Sequence, residues 1–416
     1  MSATAVVPLA ARAADVPVPA GYRVVEREEL EPGVEHLTLR RDQPAQNVHI
    51  ARLAPGMSNR LRPVLSGDVM TGPAAGPETT SSMCARVRCV VAVNGDFAGP
   101  GGAVVGGMIV RGELVATFGM PLWQLNFDAA GKATIHDGFD VGVQVTTPDG
   151  QSMAVQRVNR PLVGEGVNLY SRRWGPSTLT GADTVEAVLG LATADVLPAG
   201  VTPVRTVTLR SGGNSPIGPG QVVLAGRGAG AQALSAFAQR AARGGASLVV
   251  RTPAEQSIGA APHLLSGGRL AFAPDEIGSF MQDRHPRTMV GFTGTGATLL
   301  VTVDGRQRAS TGMSLGEAAG FMAGLGATDA VNFDGGGSTT FVTRGAVRNV
   351  PSDGGERRVV SALAFVAPGD AAPVPAAPPA GPRTTPTDPA SLLPDLVNSL
   401  LQPLLSQLGG QPPASR

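Results

Sequence analysis

Residues 284–361 decide the fold, and they contain in order Arg284-His285-Pro286-Arg287-Thr288, Val303-Asp304-Gly305-Arg306, Asn332-Phe333-Asp334-Gly335-Gly336-Gly337-Ser338-Thr339-Thr340 and Asn349-Val350-Pro351-Ser352-Asp353-Gly354-Gly355-Glu356-Arg357. Two β-rich segments, Thr288–Thr293 and Thr298–Val303, are separated by Gly294-Thr295-Gly296-Ala297. This pattern predicts an antiparallel hairpin. The hairpin would bring Arg287, just before its first strand, beside Asp304, just after its second.

A helix and a further strand are predicted after the hairpin. Ser314 followed by Glu317 is a capping box, and we assign Glu317 to that box rather than to catalysis. The apolar residues behind it recur at helical spacing, and Gly326 is a suitable end of the helix. Residues 330–334 then alternate, so Asn332 and Asp334 share one face of a strand. If the strands ending at Asp304 and Asp334 are parallel in one sheet, both carboxylates lie at the edge where α/β sheets bind ligands.

The ordered motifs resemble the phosphodiester glycosidase family. The resemblance rests on R-H-P-R-T, V-D-G-R, S-x-G-M-S-L-x-E, N-x-D-G-G-G-S-T-T and N-x-P-S-D-G-x-E-R within residues 284–357. A weaker similarity continues upstream at Asn94-Gly95-Asp96-Phe97, at Gly166–Tyr170 and at Trp174-Gly175, so it covers roughly residues 85–366.

The resemblance implies cleavage between an anomeric carbon and a phosphate oxygen. Such a reaction needs a cation for the phosphate, a carboxylate that attacks the sugar or activates water, and stabilisation of oxocarbenium-like charge. Asp334 is the first candidate carboxylate and Asp304 the second, although Asp304-Gly305 also suits a turn. Arg287 is the candidate phosphate ligand because its guanidinium matches two phosphate oxygens, with an ion pair to Asp304 as the alternative. His285 is either a proton carrier near neutral pH or a residue that fixes the turn before Pro286.

The remaining candidate residues would bind substrate. Asn332 would hold a sugar hydroxyl or orient Asp334, and the glycine run offers amide and hydroxyl groups to an anion. Asn94 and Asp96 follow an apolar strand and point to the same site, with a type I′ turn at Asn94-Gly95 as the alternative. Asp353, Glu356 and Arg357 are expected to lie either in a loop that closes over the site or in a surface loop with internal ion pairs. The full candidate substrate-binding set is Asn94, Asp96, Asn332, Gly336, Ser338, Thr339, Asp353, Glu356 and Arg357.

Composition excludes several classes of protein. The 416 residues carry 33 Lys and Arg against 32 Asp and Glu, so no basic excess indicates nucleic acid. No apolar stretch of 18 residues occurs, and neither G-x-G-x-x-G nor G-K-[ST] follows a strand. The 56 glycines and 35 prolines favour short strands and turns over long helices.

Cys84 and Cys89 are the two cysteines, and their spacing fits neither a redox pair nor a zinc site. The favoured interpretation is a disulfide that closes a small loop, and the alternative is a pair of reduced thiols. Residues 1–20 are apolar, and Ala11-Arg12-Ala13 resembles a signal-peptidase site. They are interpreted as a signal-peptide remnant, with a disordered terminus as the alternative. Together these features predict a secreted or cell-surface bacterial protein.

The predicted fold is α+β, a mixed, strand-rich sheet core with one or two packed helices. A β-rich segment is expected over 21–84, the catalytic domain over 85–366 with a β-meander within 103–150, and a Pro/Ala-rich linker over 367–391. Residues 392–416 form a tail in which leucines suggest a short amphipathic helix interrupted by prolines.

The predicted function is hydrolysis of a glycosyl phosphodiester, with a cell-wall component or an exopolysaccharide as the expected type of glycan. The alternatives are a non-catalytic envelope module that binds phosphorylated glycans and a phosphodiesterase that attacks phosphorus. No cofactor is required by this chemistry, and a divalent cation stays an open alternative because several aspartates could bind one.

Overall fold

The computed structural model describes residues 17–70, 78–99, 102–120, 122–192, 196–272 and 282–368. The predicted signal-peptide remnant, linker and tail lie outside these ranges except for residues 17–20 and 367–368. Within the described ranges, no helix is both long and apolar enough to cross a membrane.

The described residues form three α-helices and 28 strands. The helices are α1 (Thr80–Arg86), α2 (Ala229–Gly244) and α3 (Leu315–Gly324). The strands are β1 (Arg23–Glu31), β2 (Val34–Asp42), β3 (Ala45–Leu53), β4 (Leu61–Leu65), β5 (Glu78–Thr79), β6 (Cys89–Asn94), β7 (Met108–Val110), β8 (Glu113–Ala116), β9 (Trp123–Phe127), β10 (Ala133–Asp137), β11 (Gly142–Thr146), β12 (Ser152–Val155), β13 (Arg157–Val158), β14 (Val167–Tyr170), β15 (Val185–Leu191), β16 (Gly200–Ser211), β17 (Gln221–Gly226), β18 (Ala246–Arg251), β19 (Gln256–Ala260), β20 (His263–Ser266), β21 (Arg269–Leu270), β22 (Arg287–Thr293), β23 (Thr298–Val303), β24 (Ala327–Asn332), β25 (Phe341–Thr343), β26 (Ala346–Val347), β27 (Arg358–Val359) and β28 (Ser361–Val366).

The central sheet has eight strands in the order β1-β2-β3-β23-β22-β24-β20-β21. β22 and β23 form the predicted hairpin, with Arg287 opposite Val303. β24 pairs with the other edge of β22, also antiparallel. β23 and β24 therefore run in the same direction on either side of β22, and their carboxyl ends lie at one edge of the sheet, as predicted.

Helix α3 covers one face of the central sheet. Ser314 accepts a hydrogen bond from the Glu317 amide and the Glu317 carboxylate accepts one from the Ser314 amide, which confirms the capping box. Leu315, Ala318 and Met322 pack into a core with residues of β2, β3, β22 and β23. Gly326 has φ of 84° and ends the helix as predicted.

Two smaller sheets cover the opposite face. One has the order β26-β25-β6-β28-β4 and the other the order β10-β9-β19-β7-β8. Their apolar residues, among them Val93, Leu125 and Leu363, meet Leu300 and Val331 of the central sheet in one buried core. This packing brings β6, and with it Asn94, to the edge where β23 and β24 end.

The predicted β-meander over residues 103–150 is wrong in its pairing. Strands occur near the expected positions, but β19 from residues 256–260 separates β9 from β7. β11 belongs to another sheet, with the order β12-β11-β18-β16-β15-β17-β14-β13, on which α2 packs over a core of its own. Strand spacing could not reveal this, because β19 lies more than a hundred residues along the chain from both strands.

The strand-rich character predicted from the sequence is confirmed, but the number of helices is not. α1 lies in a segment read as turns followed by a strand. Its N-cap is Thr79, whose side chain accepts from the Ser82 amide. A disulfide joins Cys84 in α1 to Cys89 at the start of β6, which confirms the predicted bridge.

Candidate functional site

The candidate site lies where β23 and β24 end and β22 begins. This places Asp304, Arg287 and Asp334 at one edge of the central sheet. The glycine run after Asp334 then turns across that edge as a short 3-10 helix over Gly336–Ser338.

Asn94 fixes the backbone around Asp334. Its Nδ2 donates to the Asp334 carbonyl at 2.7 Å, and its Oδ1 accepts from Thr288 Oγ1 at 2.7 Å and from the Thr340 amide at 3.1 Å. The Asp334 amide donates to the Gly95 carbonyl at 3.1 Å. Neither Asn94 nor Gly95 has the positive φ that a type I′ turn requires, so that alternative is wrong. Asn94 is fully buried, and it positions Asp334 rather than facing a ligand.

Asp334 keeps a partly exposed side chain among polar neighbours. Burial raises the pKa of its carboxyl to about 6, while a hydrogen bond from Ser338, the charge of Arg357 and the Gly335 amide lower it. The carboxylate therefore lies between an accessible edge and groups that stabilise its ionised form. At pH 7 most of it is ionised, and it can act as a nucleophile or a base.

Asp96 is a second carboxylate, and its pKa is affected by the charge of Asp334. It is buried, and its two oxygens accept from the Phe97 amide at 2.7 Å and the Gly106 amide at 2.8 Å. Burial raises its pKa to about 7, the two amides and Arg160 lower it, and the charge of Asp334 raises it. The net effect is a pKa raised into the neutral range, so the Asp96 carboxyl takes up a proton more readily than an ordinary aspartate.

Asp304 holds a loop. Its Oδ1 accepts from Asn349 Nδ2 at 3.2 Å and from the Val350 amide at 3.1 Å. Burial raises its pKa to about 6, and these two hydrogen bonds lower it. The side chain is 2% exposed, so it reaches the loop of residues 349–357 and not solvent.

Arg287 also faces inward. Its guanidinium donates to the carbonyls of Met313 at 2.8 Å and Asp283 at 3.1 Å. Burial lowers its pKa to about 10, with a further contribution from the charge of Arg306. Among the described residues it makes no ion pair with Asp304. By binding these carbonyls, Arg287 fixes the segment before α3.

Arg306 and His285 form a pair beside the glycine run. Arg306 Nε and NH2 lie 3.3 and 3.2 Å from His285 Nδ1. Burial, with the charges of Arg287 and Arg306, lowers the His285 pKa to about 4. His285 is therefore neutral at pH 7 and accepts from Arg306, which leaves little capacity to carry protons near neutrality. Arg306 has φ of 59°, an uncommon backbone conformation for this residue type that is often found at functional sites.

Arg357 approaches the glycine run from the opposite loop. It donates through Nε and NH2 to Asp353 Oδ2 at 2.9 and 2.6 Å, and its NH1 lies 3.5 Å from Ser338 Oγ. A Cβ on Gly337 would stand 2.2 Å from Arg357 NH2 and from Asp353 Oδ2. A Cβ on Gly336 would stand 3.1 Å from Arg306 NH2. The glycines therefore admit two guanidinium groups against the backbone next to Asp334.

The amides of the glycine run are mostly engaged within the protein. Gly336 donates to the Pro286 carbonyl at 2.9 Å, Ser338 to Gly335 and Thr339 to Gly336, both at 3.2 Å. They are therefore not available together as an anion-binding nest.

Three other candidates face the protein interior or have structural partners. Thr339 is 1% exposed, and its hydroxyl has no hydrogen-bond partner among the described residues. Asn332 is 4% exposed and donates to the Ala261 and Phe333 carbonyls, both at 2.7 Å. Glu356 accepts from the Ser81 amide at 2.7 Å and from Ser81 Oγ at 2.5 Å, so it ties the far end of the loop to the first turn of α1.

Arg306 is the residue at this site that sequence reasoning missed. It stands in the quoted V-D-G-R motif, two residues after Asp304, and so at the end of a strand whose ligand-binding edge was already predicted. An arginine at that position was the available signal. Arg160 gave no such signal, because its approach to Asp96 depends on contacts between distant segments.

The region around this site matches a known protein family. Residues 182–366 match the family model of phosphodiester glycosidase (NAGPA). The resemblance to that family is thereby confirmed over those residues. Asn94 and Asp96 lie outside the matched residues and reach the site through the packing of β6.

The proteins similar to this chain include one curated relative and two solved structures that bear on the site. Bovine (Bos taurus) N-acetylglucosamine-1-phosphodiester alpha-N-acetylglucosaminidase is 43% identical over 67 residues, which is 16% of this chain and only 12% of that protein. A hypothetical protein from Synechocystis has the same fold, with a TM-score of 0.63 and 20% identity over 83% of this chain and 68% of its own. A protein of Burkholderia pseudomallei K96243 described as exported has a TM-score of 0.56 and 26% identity over 77% of this chain and 74% of its own.

Proposed function

We propose that the chain hydrolyses a glycosyl phosphodiester by breaking the bond between the anomeric carbon and the phosphate oxygen. The observation that carries the proposal is the half-buried Asp334, whose carboxylate lies in the field of Arg357 and is followed by Gly336 and Gly337, where the guanidinium groups of Arg306 and Arg357 lie against the backbone. A carboxylate beside two guanidinium groups suits a substrate whose reacting carbon is attached to an anionic group. The match to the phosphodiester glycosidase family supports the same reaction.

In the proposed reaction, Asp334 attacks the anomeric carbon or deprotonates the water that does so. The carbon–oxygen bond breaks, and the departing phosphate keeps the electron pair. Arg306 and Arg357 bind its oxygens and stabilise the charge that develops as it leaves. The oxygen of water ends on the sugar as a hydroxyl group that keeps one of the two protons, and the other proton passes through Asp334 to the phosphate or to solvent. A phosphate is a good leaving group, so the site needs no strong general acid.

The other residues support these three. The raised pKa of Asp96 favours its protonated form while Asp334 is ionised, which reduces the repulsion between the two carboxylates. Asn94 fixes the Asp334 backbone, His285 orients Arg306 and Asp304 holds the loop that carries Arg357. In this assignment Arg306 replaces Arg287 as the first phosphate ligand, since Arg287 is engaged by backbone carbonyls.

An extracytoplasmic location is also proposed. The Cys84–Cys89 disulfide is of a kind that persists in oxidising compartments, and the Burkholderia protein of similar fold is described as exported. Cell-wall or exopolysaccharide phosphodiesters would be accessible substrates there.

Phosphorus NMR with an N-acetylglucosamine-1-phosphate methyl diester in oxygen-18 water tests the reaction. We expect methyl phosphate without heavy oxygen from the native protein and none from Asp334→Asn. Asp140→Asn, which changes an exposed carboxylate between β10 and β11, should behave as the native protein does. Heavy oxygen in the phosphate would show attack at phosphorus. No turnover by a folded protein across several sugars, with and without divalent cations, would favour a glycan-binding module.

Substitutions of two neighbouring arginines test whether Arg306 binds the phosphate. Arg306→Gln should lower kcat/KM by about 100-fold, because a charge-stabilising donor is lost at the leaving group. Arg308→Gln removes an exposed arginine two residues away and should leave kcat/KM unchanged. Equal effects of the two substitutions would show that Arg306 acts only through the general charge of the surface.

A further inference from the structure

A second cluster of potential ligands lies at the far end of the central sheet. Glu26, Glu28 and His36 each direct one ligand atom to a common point, and these atoms all lie within 4.8 Å of one another. Strand pairing creates the cluster, because Glu28 of β1 lies opposite His36 of β2 and Glu26 lies opposite Thr38. None of these residues belongs to the site around Asp334.

The imidazole of His36 has one nitrogen engaged and one without a partner. Its Nε2 lies 3.2 Å from His49 Nδ1, whereas its Nδ1 is buried and has no hydrogen-bond partner among the described residues. The ring itself is 0% exposed. A buried nitrogen without a partner is unfavourable unless a ligand that the structure does not contain binds it.

One tautomer of the His36–His49 pair suits a metal. His49 Nδ1 lies 3.2 Å from His36 Nε2 and 3.5 Å from Thr38 Oγ1, which itself donates to Glu26 Oε2 at 3.2 Å. In the tautomer in which His36 Nε2–H donates to His49 Nδ1, His36 Nδ1 carries a lone pair. A histidine that donates through one ring nitrogen and ligates through the other is the usual arrangement at protein metal sites. Phe341 stacks on the ring at 5.1 Å and holds its orientation.

The cluster holds two arginines, Arg348 and Arg344, and Arg344 NH1 lies 3.4 Å from Glu28 Oε1. Arg348 is the one that contacts both carboxylates. Its NH2 group lies 2.8 Å from Glu26 Oε1 and 3.3 Å from Glu28 Oε2. It neutralises the carboxylates but makes no hydrogen bond to His36 Nδ1. Its side chain is 28% exposed and can move outward. A metal ion would satisfy all three ligands, which the arginine does not.

We propose that Glu26, Glu28 and His36 form a binding site for a first-row divalent transition metal, with Zn²⁺ as the representative ion. One imidazole nitrogen and two carboxylates are a donor set that such ions accept, whereas Ca²⁺ and Mg²⁺ prefer oxygen alone. The proposal is independent of the reaction assigned to Asp334. The ion and Arg348 compete for the same carboxylates.

Calorimetric titration of the metal-free full chain with zinc chloride tests this site. We expect one ion per chain, and at least tenfold weaker binding in Glu28→Gln and in His36→Phe. His36→Phe keeps a ring against Phe341 while removing the nitrogen. Arg348→Gln should change affinity in the opposite direction and bind zinc more tightly, because the cation that contacts both carboxylates is gone and only Arg344 still pairs with Glu28.

Three results would overturn the proposal. They are the absence of zinc binding, unchanged binding in Glu28→Gln, and calcium binding as tight as zinc, which would indicate a general acidic surface. Circular dichroism checks that each variant folds. If His36→Phe does not fold, the opposite responses of Glu28→Gln and Arg348→Gln decide the question on their own.

Discussion

At the scale of single residues, the surroundings of Asp334, the proposed catalytic carboxylate, predict a pH profile. The pKa of its carboxyl is raised to about 6, so its ionised form increases as pH rises through that value. If the ionised form is the active one, kcat should increase from pH 5 to pH 7 with an apparent pKa of about 6 and then level off. Initial rates on the methyl diester measure this.

Asp304 is the control for that assignment, because burial raises its pKa to about 6 as well. In Asp304→Asn the acid limb should stay in place, although KM rises through the loosened loop. If kcat of this variant no longer fell at acid pH, the titrating group would be Asp304 and not Asp334.

Two glycines near the site give a matched comparison. In Gly337→Ala the new methyl group would lie 2.2 Å from Arg357 NH2 and Asp353 Oδ2, so the arginine must move. We expect a loss of about 10- to 100-fold in kcat/KM, since small displacements of positioning groups are costly. Gly355→Ala meets nothing within 4 Å and should have native kinetics. Native kinetics in both variants would show that Arg357 plays no part in the reaction.

Some residue assignments could be made from the sequence and others could not. Asp334 could be predicted as a candidate because an alternating strand followed by three glycines is a local pattern. The partner of Asp334 could not be chosen locally. Asp304 is close to it in the motif, but Asp96 is the carboxylate that responds to its charge, from a segment 238 residues earlier. Arg287 failed as a free cation because its carbonyl partners depend on the path of the chain before α3.

At the scale of elements, the loop of residues 349–357 is held at both ends. Asp304 fixes its start, and Glu356 fixes its end to Ser81 in the first turn of α1. A carboxylate at a helix N-terminus is favoured by the exposed amides and the helix dipole. The loop is thereby kept over the glycine run, where Arg357 projects from it.

A double-mutant cycle measures the attachment at Glu356. Glu356→Gln should lower the free energy of unfolding by about 1 kcal/mol, because charge-assisted hydrogen bonds to Ser81 are weakened. Ser81→Ala removes one of these bonds, so the double variant should cost less than the sum of the single ones. Urea unfolding gives the energies. Strict additivity would mean that the two side chains do not interact in solution.

The predictable elements are those whose signals lie within one segment. The β22–β23 hairpin and the capping box of α3 are of this type. α1 was missed because Thr79 is an N-cap in a segment without helical apolar spacing. The position of β19 between β9 and β7 was missed because pairing between distant strands leaves no local pattern.

At the scale of the whole molecule, the part that matches the family is not the whole site. Residues 182–366 include Asp334, Arg306 and Arg357, but β3 and β6 come from earlier in the chain. β3 pairs with β23, and β6 lies between β25 and β28. Without them, both sheets would have apolar edges exposed to water.

A fragment of residues 182–366 should therefore lack a cooperative unfolding transition and turn over no substrate. The full chain should show both, and the comparison needs circular dichroism during heating together with the phosphorus NMR assay. An active, cooperatively folded fragment would show that β3 and β6 are dispensable.

The pairing of β3 with β23 also has a consequence for how the protein forms. β3 pairs with β2 along one edge, but its other edge must wait until residues 298–303 have left the ribosome before it finds its partner. Contacts so distant in sequence slow folding, and an unpaired apolar strand is a site for aggregation. Yields from a heterologous host should consequently depend on how fast the chain is made and on which chaperones protect its first half.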